Sequence, residues 1–216
     1  WSRRRQRQMC IRDRNKINAE YDKKLTNLSE LRNLVESIKN NKINGMNVTV
    51  PFKKEVINFL DELSPEAQYT DSVNTIRNDN GKIIGHNTDI AGFELGIRHI
   101  NYNVNDKNIL ILGAGGVVPS IIYALKRSNV KKISIMNRTI KKAELLKKKF
   151  NDIEILKWGS NYSFDMIINA TSLGLKNEDK INLEFEKFGE NKFFYDVIYN
   201  PKAVSYTHLT LPTTWS

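Results

Sequence analysis

A chain of 216 residues with 40% apolar side chains can bury a real core, in one large domain or two small ones. No run of about 18 apolar residues occurs, so no membrane-spanning helix is expected; the basic start lacks a following apolar stretch, against a secretory signal; and the single cysteine, Cys10, excludes an internal disulfide and points to a cytoplasmic location. The net charge of +10 suggests nucleic acid at first sight, but half the excess sits in residues 1–14, "WSRRRQRQMCIRDR", with six arginines against one aspartate.

Both ends differ in composition from the middle. Residues 1–14 and 203–216 ("AVSYTHLTLPTTWS") share neither its Lys/Asn/Ile-rich character nor its periodicity, and they look like non-native joining sequence outside the fold. Between them, lysines alternate with glutamates and asparagines on segments such as "KKAELLKKKF", the mark of a solvated helix face. No nucleic-acid partner is therefore expected, and no membrane partner.

In chain order, residues 28–40, "LSELRNLVESIKN", place Leu28, Leu31, Leu34, Val35 and Ile38 at three-to-four spacing and predict an amphipathic helix. After "NNKING", the β-branched Val48, Thr49 and Val50 predict a short strand stopped by Pro51. "KKEVINFLDEL" then predicts a helix opened by that proline. "SVNTIRNDNGKIIGHNTD" predicts a hairpin that turns through Asn78, Asp79, Asn80 and Gly81. "IAGFELGIRHI" has helical spacing, and the polar "NYNVNDK" after it marks a domain boundary, dividing residues 15–101 from 102–202. Beyond the break, "NILIL", "KKISIMN", "FDMIINA" and "KFFYDVIY" read as strands, and "VVPSIIYALKRS" and "TIKKAELLKKKF" as helices. Such alternation predicts an α/β fold with a parallel sheet.

The second half carries the signs of a nucleotide site. Gly113-Ala114-Gly115-Gly116 follows a strand and opens a helix, so backbone N–H groups and the helix dipole would face a phosphate. Val118 stands where the usual fingerprint has its third glycine, and taken alone the run is also compatible with an ordinary glycine turn. After the second strand, where an acidic residue would hold the ribose hydroxyls of NAD, the chain has Asn137-Arg138-Thr139 and then Lys142. A guanidinium there attracts a 2′-phosphate, which points to NADP as cofactor, although a solvated arginine is the alternative. "NATSLG" places Thr171 and Ser172 at the end of the next strand, beside the ligand crevice of an open α/β sheet. Three histidines and one cysteine, scattered, suggest no metal site. His86 and His99 read as surface or structural residues.

Polar groups also concentrate in "NVTVPFK", "VNT" at 73–75, "HNTD" at 86–89 and "YDVIY" at 195–199. This ordered series, followed by "GAGG" and "NRT" in the order of the chain, resembles the shikimate dehydrogenase family over roughly residues 16–202. The resemblance implies an N-terminal α/β substrate domain and a C-terminal Rossmann-like NADP-binding domain. It implies reversible, NADPH-dependent reduction of 3-dehydroshikimate to shikimate, on the route to aromatic amino acids. On matching positions Lys53 is the acid/base residue and Asp89 its partner. Asn47, Thr49 and Asn74 would hold substrate hydroxyls, and Tyr199 would approach the carboxylate. Gly113, Ala114, Gly115, Gly116, Val117, Asn137, Arg138, Thr139, Lys142, Thr171 and Ser172 would line the cofactor.

The chemistry agrees with those roles. Hydride arriving at a ketone carbon leaves negative charge on oxygen, and a positioned ammonium that can release a proton neutralises it in the same step. Lysine can do this, whereas guanidinium does not deprotonate in proteins. Outside the family pattern, Lys53 reads first as a solvated lysine at a helix start, and Lys54 reads as solvated. The Ser-x-Ser segment with which the family begins has no counterpart upstream of Asn15, and the closing helix of the family is absent downstream of Lys202. A chain truncated at both ends, with unpaired sheet edges, low stability and weak activity, is therefore expected. Oligomeric state is open between monomer and homodimer. A quinate dehydrogenase using NAD, a non-catalytic NADP-binding module and a basic nucleic-acid binder are the competing readings.

Overall fold

The computed structural model describes residues 10, 12–160, 162–173 and 192–197, and these form two sheets with helices packed on them. Helix α1 (Leu28–Lys39) starts where the side chain of Asn27 accepts the N–H of Glu30 at 3.0 Å, a standard N-cap, and buries Leu31, Val35 and Ile38 along one stripe. That stripe covers one face of a four-stranded sheet made of β1 (Gly45–Asn47), β2 (Glu62–Leu63), β3 (Thr75–Asp79) and β4 (Lys82–His86) in the order β1-β3-β4-β2. The β3–β4 hairpin turns on Asn80 and Gly81, with φ of 52° and 90°. Asparagine and glycine tolerate that left-handed backbone best, which is why the predicted hairpin forms in register.

Two local expectations fail here. The strand predicted over Val48–Val50 ends earlier, at Asn47: the N–H of Val48 still donates in register to the carbonyl of Asn74 at 2.8 Å, and the chain then leaves the sheet, with Phe52 donating to Thr49 at 3.0 Å to close a turn. The helix predicted over "KKEVINFLDEL" is instead a turn followed by a short 3-10 helix, Glu55–Phe59. The carbonyl of Lys53, which would accept from Ile57 in an α-helix, accepts from Val73 at 2.8 Å, and Ile57 donates to Lys54 instead. The chain then returns to the sheet, with Asp61 donating to Ile83 and β2 running parallel to β4. Helix α2 (Pro65–Thr70) follows, capped by Ser64 with proline in its first turn.

Helix α3 (Asp89–His99) leaves the hairpin and buries Ile90, Phe93 and Ile97 in the core of the second sheet. That sheet is parallel throughout: β5 (Asn108–Leu112), β6 (Lys132–Met136), β7 (Ile153–Leu156), β8 (Met166–Asn169) and β9 (Phe193–Asp196) stand in the order β7-β6-β5-β8-β9. Helices α4 (Val118–Arg127) and α5 (Ile140–Lys149) make the crossovers. Ile109, Leu110, Ile111 and Leu112 are wholly buried, as central parallel strands covered on both faces should be. The strand order reverses between β5's two neighbours, β6 and β8, and the crevice at such a switch point is where open α/β sheets bind ligands.

The two halves touch through aromatic rings. Tyr69 at the end of α2 lies 4.5 Å from the Tyr123 ring of α4 and 5.8 Å from Phe150. Phe150 is 1% exposed, with the Lys126 ammonium 5.4 Å from its ring centre. Phe150→Ala should therefore lower the unfolding free energy by about 3–5 kcal/mol. Urea denaturation reads this as a lower midpoint at unchanged slope; an unchanged midpoint would show that the ring is not structural.

Candidate active site

The site is assembled from three chain segments that meet where the first sheet faces α3. Lys53 lies in the turn after Pro51, its side chain 15% exposed, and its Nζ donates to Oδ2 of Asp89 at 2.5 Å. Asp89 is the first residue of α3, where the free N–H groups of a helix start favour a negative charge. Its second oxygen, Oδ1, accepts Nδ2 of Asn74 at 2.8 Å. Asn74 is buried, and its Oδ1 accepts the N–H and hydroxyl of Thr88 at 3.0 and 3.1 Å and the hydroxyl of Thr75 at 3.1 Å. The side chain of Asn74 therefore acts first as the clamp of Asp89, with one amide hydrogen left over.

Asn47, at the end of β1, is exposed and donates to Thr75 at 3.1 Å while accepting from Tyr21 at 3.1 Å. Thr49 is also exposed, between Asn47 and Lys53. Lys54 points the other way: its side chain is 74% exposed and pairs with Asp71 at 2.8 Å, a hydrogen-bonded pairing that pushes the ammonium pKa up. Adjacent lysines thus have opposite fates, one enclosed against Asp89 and one at the surface. Tyr199 lies outside the described residues.

Opposite this cluster the turn after β5 shows why glycine is required. Gly113 has φ of 106°, and a Cβ there would stand 2.8 Å from the carbonyl oxygen of Ala170 at the end of β8. Only glycine fits such a backbone. Gly115 and Gly116 have room, and a Cβ on Gly116 would lie 3.8 Å from Val50 in the Lys53 turn, so the glycine loop borders that turn directly. Ala114 and Val117 pack partly on the core, and Val118 is fully buried, filling the space between α4 and the sheet that a third glycine would leave open. The N–H of Gly113 donates to the carbonyl of Met136 at 2.8 Å and that of Val118 to Gly115 at 3.0 Å, so the amides at the head of α4 that could face a pyrophosphate are those of Ala114 to Val117. After β6, Asn137 donates to the carbonyl of Thr139 at 2.7 Å, shaping a turn on which Arg138, Thr139 and Lys142 stand exposed. Arg138 makes no ion pair with another described residue.

Thr171 is committed inward, its hydroxyl donating to Asn169 at 2.7 Å and accepting the N–H of Leu173 at 3.0 Å, while Ser172 is exposed. Sequence reasoning passed over Asn169, which is fully buried and also donates to Asp196, tying the ends of β8 and β9. It passed over Asn87 as well, although the residue stands in the "HNTD" run just before a helix. A cavity of about 360 Å³ opens beside the clamp, lined among others by Thr75, His86, Thr88 and Glu94; Glu94 is paired with Arg127 at 3.6 Å. Among the described residues no helix is long and apolar enough to cross a membrane, and no cluster of three His, Cys, Asp or Glu could hold a metal.

A parallel sheet with a phosphate-sized glycine turn at its switch point, faced by an enclosed lysine–carboxylate pair on a second sheet, is the layout of a two-domain, dinucleotide-dependent oxidoreductase. Comparison with known proteins agrees. Residues 6–76 match the family described as shikimate dehydrogenase substrate binding domain, and residues 94–199 match shikimate / quinate 5-dehydrogenase. A shikimate dehydrogenase (NADP(+)) of Pelagibacter ubique is 56% identical over 191 residues, spanning 88% of this chain and 72% of the relative. The crystal structure of shikimate dehydrogenase from Aquifex aeolicus is 36% identical with a TM-score of 0.79, covering 89% of this chain and 72% of that one. A Thermus thermophilus shikimate 5-dehydrogenase, in complex with NADP(H) and shikimate, is 29% identical with a TM-score of 0.73, covering 82% of this chain and 66% of that one. The chain belongs to the shikimate dehydrogenase family.

Gly113→Ala tests the nucleotide loop. The added methyl collides with Ala170 in a backbone that alanine resists, so affinity for NADPH measured by calorimetry should drop at least about tenfold, the equivalent of a strained residue. Unaltered affinity would show that this turn does not hold the dinucleotide.

Proposed function

We propose that this chain is an NADP-dependent shikimate dehydrogenase, which reduces 3-dehydroshikimate to shikimate and runs in reverse. The observation that carries the reading is the 2.5 Å contact between Lys53 and Asp89 on the side of the molecule that the glycine loop borders. Bound NADPH would supply a hydride to the ketone carbon. Lys53 Nζ would give its proton to the ketone oxygen as charge gathers there, and in the oxidising direction the neutral amine would take the hydroxyl proton. Asp89 holds the amine in line, and Asn74 holds Asp89. Asn47 and Thr49, exposed on the same edge, are assigned to the substrate hydroxyls together with the spare amide hydrogen of Asn74; Tyr199 is assigned to the carboxylate.

For the cofactor, Gly113 to Val117 would line the pyrophosphate, and Arg138, with Thr139 and Lys142, would meet the 2′-phosphate. Ser172 would edge the crevice, with Thr171 shaping its turn. Residues 15–101 make up the substrate lobe in this assignment and residues 102–202 the nucleotide lobe, with α3 packed across from the first to the second. The enzyme is assigned to the cytoplasm, as a monomer or homodimer.

Lys53→Ala should lower turnover by about 10²–10⁴-fold, the usual worth of a general acid or base, while NADPH still binds. Turnover within a few-fold of the parent, in a shikimate oxidation assay followed at the nicotinamide absorbance, would refute the role. Arg138→Ala should raise KM for NADPH by about tenfold or more through loss of paired charge-assisted hydrogen bonds, with KM for NADH little changed. An equal effect on both cofactors would remove Arg138 from the 2′-phosphate site.

A further inference from the structure

Asn87 is 6% exposed and lies between the two halves of the molecule with every polar atom of its side chain engaged. Its Oδ1 accepts the backbone N–H of Asp89 at 3.0 Å. Its Nδ2 donates to Thr70 Oγ1, at the end of α2, and to Ser120 Oγ, in the first turn of α4, both at 2.9 Å. Thr70 is 2% exposed and Ser120 fully buried, so none of these bonds has water as a substitute. The orientation of the carboxamide follows from its neighbours, because a backbone N–H can only donate and so must face the oxygen. A planar group with one acceptor and two donors is what this junction requires. Aspartate would put a second negative charge two residues from Asp89, and leucine would strip the Asp89 N–H and the Ser120 hydroxyl of this partner and leave Thr70 only its own donation to Glu66.

The position of those partners gives the bond set a meaning beyond packing. Ser120 stands two residues past the start of the helix that the glycine loop opens, and Asp89 is the residue that holds Lys53. One buried side chain therefore joins the nucleotide-binding helix to the backbone of the carboxylate in the reacting pair. We propose that Asn87 is a positioning residue, through which occupation of the glycine loop at the head of α4 sets the placement of Asp89 and Lys53 and so the affinity for the polyol acid substrate. The inference rests on reading Lys53 and Asp89 as the reacting pair.

Calorimetry on the whole chain tests it. Shikimate is titrated into free protein and into protein saturated with NADPH, a combination that cannot react because both molecules are in the reduced form. In the wild type, NADPH should change the shikimate Kd by about fivefold or more, the lower range of ordinary coupling between sites. In Ser120→Ala, which cuts the single bond to α4, and in Asn87→Ala, the ratio of the two Kd values should fall close to one. The Kd for NADPH alone should stay within about threefold of the parent in both, since neither change touches the glycine loop. Thr70→Val cuts the other bond of the same amide, at similar burial, and should keep the wild-type ratio. In Asn87→Ala kcat should also fall by about 10²-fold, the cost of a misplaced reacting group, with KM for NADPH unmoved.

A Ser120→Ala protein that keeps the wild-type ratio overturns the proposal, as does a wild type that turns over yet shows a ratio of one. If Asn87→Ala does not fold, Ser120→Ala decides the matter alone. A wild type that neither binds shikimate nor turns over overturns the reading of the site, and the coupling with it.

Discussion

The first half of the molecule holds a lysine ammonium against a carboxylate with little water around either. Such a pair contributes little to stability, because drawing two charges out of solvent costs about as much as their attraction returns. Its geometry has to be maintained by other groups, and here it is. The turn at 51–54 brings in Lys53, the head of α3 brings in Asp89, and Asn74 at the entrance to β3 fixes the carboxylate oxygen that the lysine does not use. The bond from Val73 to the carbonyl of Lys53 pins the backbone of the lysine itself. This many polar contacts on one enclosed ion pair hold its geometry and add little to folding, which fits the proton-transfer role proposed for it.

The second sheet makes the complementary arrangement for a phosphate. Its glycine turn sits at the switch point between β5 and β8, and the carbonyl of Ala170 presses against Gly113 so closely that no other residue could take the same backbone path. The neighbouring turn after β6 presents an arginine with no acidic partner among the described residues. Amides for the pyrophosphate and a guanidinium for an extra phosphate therefore lie along one edge, and the lysine turn approaches that edge at Val50. The glycine turn and the lysine turn thus belong to different sheets and adjoin at this border.

How much of this could be read from the sequence depended on how local each cause was. The β3–β4 hairpin was legible because Asn80 and Gly81 dictate their own turn. The parallel strands were legible because continuous apolar runs such as "NILIL" have few other uses. The helix expected over "KKEVINFLDEL" failed because its ladder is broken by Val73, a residue distant in sequence, which takes the carbonyl that the helix needed. Strand β2 is two residues long and exists only through its pairing with β4, and β7 is a four-residue run at the edge of its sheet, paired only with β6. In the site, Lys53 and Asp89 could be named in advance, but only because of family resemblance. The double duty of Asn74, the inward commitment of Thr171 and the junction at Asn87 depend on which acceptors lie within 3 Å in the folded chain, and no spacing encodes that.

Helix α3 has its head in one half and its body on the other. At its middle, Gly96 leaves so little clearance that an added methyl would meet the hydroxyl of Tyr195 on β9 at 2.5 Å, and the Phe93 ring stands edge-on to the same tyrosine at 5.4 Å. A rod seated that tightly cannot slide along its bed. The carboxylate at its tip is therefore carried on the frame of the nucleotide sheet, while the amine it holds belongs to the other frame. A swing between the frames, which the described chain crosses just ahead of position 89, would load the contact between that carboxylate and the Lys53 ammonium.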